Sequence, residues 1–223
     1  MSTTFEVYPG TDHIPTFAAV LGLGTRYLHE YLTDHSIAAR PTIAATLHRP
    51  GPGESDRVTP VAPDAPFRWD KGEYAWLTAR PAPGGTDASF DRLDQGMREG
   101  YEKGLGNGYG SDRWRAMVRA HLTRGYSWYF RRSMGQPAII SIAYGFLAAA
   151  LADLTAGSIH AEDGAWDAAR FPATAAEFRT WYFRPDQALR EDNRVWAERC
   201  IGHLREELGG GSGRARRGVD PQG

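Results

Sequence analysis

Only one cysteine, Cys200, occurs in the 223 residues of this chain. A lone thiol excludes an internal disulfide framework and any cysteine-rich zinc site, and it fits a reducing compartment. A surplus of one charge is equally lacking: 26 basic against 27 acidic side chains leave a formal net charge of -1. A constitutive nucleic-acid binder carries a clustered basic excess, so none is expected here. Membrane-length apolar runs are missing too. The nearly unbroken stretch from Ala138 to Ala152 falls short of the roughly 20 residues that cross a bilayer, and Asp153 closes it. The opening MSTTFEVYPG has no basic start leading into an apolar core, so no secretory signal is expected. These absences together predict an uncleaved cytoplasmic protein with no membrane contact.

Catalytic signatures are also lacking. His29 and His35 are six residues apart, which rotates their rings to different sides of a helix, whereas a zinc helix needs a spacing of four. His160-Ala161-Glu162 begins like a zinc deaminase signature, but that chemistry needs two further thiolates. The glycine-rich run Gly104 to Gly110 is not followed by Gly-Lys-Ser/Thr, and no Gly-x-Ser-x-Gly elbow occurs anywhere. Cys200 shares one helical side with Trp196 and Leu204, which marks a buried structural thiol. No catalytic residue, metal ligand or cofactor is assigned.

What is present points to a fold. The run from Ala138 to Leu154 is apolar on every side, with Ser141, Tyr144 and Asp153 as its polar groups. A helix without a solvent side must be covered all round, so it is expected at the centre of the core. Ser158-Ile159-His160 then reads as a short strand, and Asp163-Gly164 as a turn. Further elements are expected from spacing and caps. Phe5 and Val7 mark a first strand, and Thr16 caps a helix whose apolar stripe runs to Leu32. Thr42–Leu47 reads as a strand. Phe67–Trp69 and Glu73–Arg80, flanking Asp70-Lys71-Gly72, read as a hairpin. The proline-rich segment 50–66 and most of 83–110 read as loop, with a helix over Phe90–Tyr101. Ser111 or Asp112 caps the next helix, Tyr126–Met134 is strand-like, and Thr174 with Glu177 forms a capping box. Two strand–helix–strand units, around residues 4–47 and 126–162, predict an α+β fold. That is one domain over residues 1–208, a mainly antiparallel sheet covered by helices, with a Gly/Arg-rich tail at 209–223 that cannot form a core.

The most distinctive patch is Glu162, Asp163, Trp166 and Asp167, three carboxylates and an indole around an Asp-Gly turn. It can be a solvated turn whose indole folds back on the core, a site for a hard cation, or a surface for a basic partner. The run from Leu154 to Asp167, with Phe171-Pro172 and Glu177-Phe178, resembles the C-terminal half of uncharacterised actinobacterial proteins. Some of these resemble immunity proteins of polymorphic-toxin systems. The resemblance spans residues 137–185 and implies a cytoplasmic antidote that binds and blocks a toxin, with no catalytic residue to carry over. The expectation is therefore a protein-binding protein, with Glu162, Asp163, Trp166 and Asp167 as the partner-binding residues. Trp69, Trp76, Trp128 and Trp181 are added as aromatic anchors. Two alternatives stand beside it: an enzyme with an unrecognised site, built on Asp12, His13 and Arg131 or on the acidic turn, and a structural or assembly subunit.

Overall fold

Helix α4 (Ala138–Leu154) determines how the rest of the chain is arranged. Every residue from Ala138 to Ala152 is buried, because the sheet lies on one side of it and three other helices enclose the rest. In the computed structural model, which describes residues 3–51, 56–106, 112–161 and 165–209, the strands are β1 (Thr3–Tyr8), β2 (Thr42–Arg49), β3 (Arg57–Pro60), β4 (Tyr74–Arg80), β5 (Thr86–Arg92), β6 (Tyr126–Arg132) and β7 (Ser158–His160). The other helices are α1 (Phe17–Asp34), α2 (Gln95–Gly106), α3 (Asp112–Arg124), α5 (Ala175–Trp181) and α6 (Glu191–Gly209). The strands form one sheet in the order β3-β2-β4-β5-β6-β1-β7, and each of these pairings is antiparallel. The α+β expectation holds, and one continuous hydrophobic cluster runs from Phe5 to Leu204.

Small side chains and ring stacking set how closely α4 is enclosed. A methyl group on Gly145 would lie 2.3 Å from the ring of Tyr182, and one on Gly24 would meet Leu147 at 3.0 Å. Both glycines therefore mark close approach, of α4 to Tyr182 and of α1 to α4. Phe5 of β1 stacks on Tyr144 at 4.7 Å between ring centres and meets Phe178 edge-on at 5.2 Å. Two polar side chains of the central helix and one of its carbonyls are engaged by neighbouring elements. Tyr144 pairs with Thr3 Oγ1 at 3.1 Å, Asp153 accepts the Tyr27 hydroxyl, and the Ser141 carbonyl accepts from Tyr182. The caps form as expected: Ala19 N donates to Thr16 Oγ1, and Thr174 and Glu177 complete their capping box. Cys200 is buried. Among the described residues, no helix is long and apolar enough to cross a membrane.

Three local expectations are corrected. Phe67–Trp69 does not pair with Glu73–Arg80, although the turn between them forms, with Glu73 N donating to Asp70 O at 3.0 Å. The backbone of Phe67 is used elsewhere: its amide donates to Pro15 O and its carbonyl accepts from Trp128 Nε1 at 2.8 Å. That leaves β4 to pair with β2 and β5 instead. The proline-rich segment contains β3, an exposed strand of four residues at the sheet edge, where Pro60 is tolerated. The stretch read as loop after Pro83 contains β5, and the helix that follows begins at Gln95.

Candidate functional site

Alternation along the strands gives the sheet two unlike faces. Phe5, Val7, Leu77, Ala88, Trp128 and Phe130 point into the helical layer and are buried. Their neighbours Glu6, Tyr74, Trp76, Asp87, Ser89, Asp91, Tyr129 and Arg131 point the other way. Of the described helices, α3 packs on this second face at the β1–β6 side, where Met117, Trp114 and Leu122 cover Tyr8. Beyond it, a groove of about 440 Å³ crosses β4, β5 and β6, lined by Tyr74, Trp76, Asp87, Ser89, Asp91, Tyr129 and Arg131, with Gly72, Glu73 and Phe90 at its margin.

Register sets the order of these groups. Arg131 on β6 faces Asp87 on β5, which faces Trp76 on β4, which faces Thr46 on β2. Arg131 Nε reaches both oxygens of Asp87, at 3.1 and 3.0 Å. The acid is almost covered while the guanidinium is half exposed. The Trp76 indole lies across the start of β5, where any side chain at position 85 would come within 2.6 Å of its ring; Gly85 is required there. Two residues before Trp76 on β4, Tyr74 stacks on His48 of β2 at 5.0 Å and donates to Asp56. That hydrogen bond, together with partial burial, pushes the Tyr74 phenol up to about 12. The phenol so held clasps β4 to the approach to β3. Glu73 closes the margin, paired with Arg49 Nε at 2.7 Å.

The residues singled out from sequence lie elsewhere. Glu162 and Asp163 are outside the described residues. Trp166 and Asp167 were expected at a partner-facing surface, but both are buried. Trp166 stacks on Phe183 at 5.0 Å. Asp167 accepts from Leu189 N at 2.8 Å and from Asn193 Nδ2 at 2.7 Å, with Arg170 Nε 3.6 Å away. It fastens the start of α6 to the segment after β7, which satisfies a carboxylate far from water. Four of the five tryptophans read as anchors, Trp69, Trp128, Trp166 and Trp181, are core residues; Trp76 alone of that set lies on the open face. Asp12, His13 and Arg131 are not brought together. Asp12 pairs with Arg124 at 2.8 Å, and Arg131 is held by Asp87.

Among the described residues no group of three or more histidine, cysteine, aspartate or glutamate side chains is placed to hold a metal ion. The groove residues Tyr74, Asp87, Asp91 and Tyr129 carry no sequence motif. For Asp87 and Asp91 the one signal is the period-two pattern of β5, in which Thr86, Ala88 and Phe90 alternate with Asp87, Ser89 and Asp91. Comparison with protein-family models, with curated proteins and with solved structures finds no match to this chain.

Proposed function

We propose that this chain is a cytoplasmic protein-binding protein, an immunity-type antidote that engages and blocks a toxin domain through the open face of its sheet. The observation that carries this reading is the groove across β4, β5 and β6. It gathers Trp76, Tyr74, Tyr129 and Arg131 on a rigid surface, and tryptophan, tyrosine and arginine are the residues that dominate protein interfaces energetically. Rings restrained by neighbours, such as Trp76 against Gly85 and Tyr74 on His48, lose little side-chain entropy on binding. The toxin as partner comes from the resemblance of residues 137–185 to immunity proteins. Those residues build the core behind the sheet, and the groove provides the surface.

The test is co-expression with any toxin domain encoded beside this chain's gene. The intact chain protects the cells and co-purifies with the toxin, and isothermal titration gives a one-to-one complex. A double variant, Trp76→Ala with Tyr129→Ala, folds normally but loses at least 100-fold in affinity, taking about 2 kcal/mol for each central aromatic. A chain that neither protects against nor binds the adjacent toxin refutes the reading.

A further inference from the structure

We propose that the segment this groove receives is cationic: an arginine- or lysine-bearing strand or loop of the partner, with Asp91 as its counter-ion. The inference deepens the protein-binding reading above and rests on it. Its basis is the arrangement around Ser89, the smallest side chain on the floor. Tyr129 faces Ser89 across β6, and the β4–β5 register, continued by one residue, brings Tyr74 beside it on the other strand. Neighbouring strands are about 4.8 Å apart, so the two tyrosine-bearing strands flank Ser89 roughly 10 Å from each other. That width admits one side chain between the rings. Along β5 itself Asp87 and Asp91 lie two residues to either side, about 7 Å each way.

Charge then selects the occupant. The lining holds three carboxylates, Glu73, Asp87 and Asp91, and one guanidinium, Arg131. Glu73 is engaged by Arg49 and Asp87 by Arg131. Asp91 is exposed, and among the described residues it makes no ion pair or side-chain hydrogen bond. An acidic segment would bring like charge to that carboxylate. A cation is attracted both by Asp91 and by the π-faces of the aromatic walls. A second cavity of about 290 Å³ shares Phe90 and Asp91 with the groove, but there Lys71 and Arg92 balance Asp70 and Asp94, so the attraction for a cation is centred on Asp91.

The test uses the full chain and two acetylated, amidated peptides, Arg-Gly-Arg-Gly-Arg and its glutamate counterpart, followed by heteronuclear NMR at low salt. The arginine peptide is expected to shift the Trp76 indole signal and the amides of Ser89, Asp91 and Tyr129, and to lose this effect in high salt. The glutamate peptide leaves them in place. Asp91→Asn, at an exposed position, keeps the parent's melting midpoint and weakens the arginine peptide about threefold or more. No shift at the groove, equal shifts from both peptides, or an unchanged affinity in Asp91→Asn overturns the inference, as does a chain that closes the groove by self-association. The two readings fail separately. If the adjacent toxin binds and Trp76→Ala abolishes binding while Asp91→Asn and salt do not matter, the cationic segment is wrong and the protein-binding role stands. If no toxin binds, the role itself falls, whatever the peptides do.

Discussion

Replacing Asp167 with alanine discriminates sharply between a surface acid and a buried clasp. In the structure the carboxylate is 1% exposed and accepts from Leu189 N and from the Asn193 amide. Leu189 lies just before α6 and Asn193 in its first turn, so the acid also faces the positive end of that helix. Removing it leaves both donors without an acceptor and takes away the nearest counter-charge of Arg170, whose Nε has no other partner. Each hydrogen bond to a charged acceptor is worth about 1.5–3 kcal/mol, and breaking a buried, paired carboxylate costs about 3–5 kcal/mol. For a chain of this size that corresponds to a fall in Tm of roughly 6–20 °C, read by circular dichroism and by urea denaturation. Asp167→Asn should lie between the parent and the alanine variant, because its amide nitrogen must face one of the two donors. A loss below about 1 kcal/mol, with partner binding abolished instead, would refute the clasp and return Asp167 to the binding surface.

One close-approach glycine and one open one give opposite signs. Gly145→Ala drives a methyl group into the Tyr182 ring and costs about 1–3 kcal/mol, whereas Gly22→Ala, in an exposed helical position with nothing within 4 Å, stabilises by about 0.4–1 kcal/mol; thermal melts of the pair decide. Glu177 has its carboxyl drawn down to about 2 by the Thr174 backbone amide and by Arg113. A depressed native pKa gives stability that is present above the ordinary 4.5 and lost as pH falls from there toward 2. The side chain is half exposed, so the effect is at most about 1 kcal/mol, and Glu177→Gln should flatten that part of the acid unfolding curve. Burial pushes the Cys200 thiol up to about 11; it should therefore ignore a disulfide reagent near about pH 8 in the native protein and react at once after unfolding in urea.

The parts of the fold legible in the sequence are those fixed by near neighbours. The all-round apolar run of α4, the Thr16 cap and the Thr174–Glu177 box are each decided within one element, and each is found where it was expected. What failed depended on distant partners. The hairpin at Asp70–Gly72 keeps its turn but loses its first strand, because Phe67 is claimed by Pro15 and Trp128. Asp167 reads as surface beside two other acids, yet its partners are 22 and 26 residues away. The groove is less legible still. It exists only because β5 lies beside β6, with two helices between them in the chain, and no local pattern announces that pairing. β5 itself had a period-two signal, masked by Pro83-Gly84-Gly85 before it and by its own acids.

The most direct test of the central claim is a hydroxyl-radical footprint of the chain alone and with the proposed toxin-domain partner, read residue by residue by mass spectrometry. The account predicts strong protection of Trp76, Tyr74 and Tyr129 on the open face, with Leu189 and Val195, which are exposed near the start of α6, oxidised as before. Protection of Leu189 and Val195 with Trp76, Tyr74 and Tyr129 unchanged would place the partner on the helical side and contradict it.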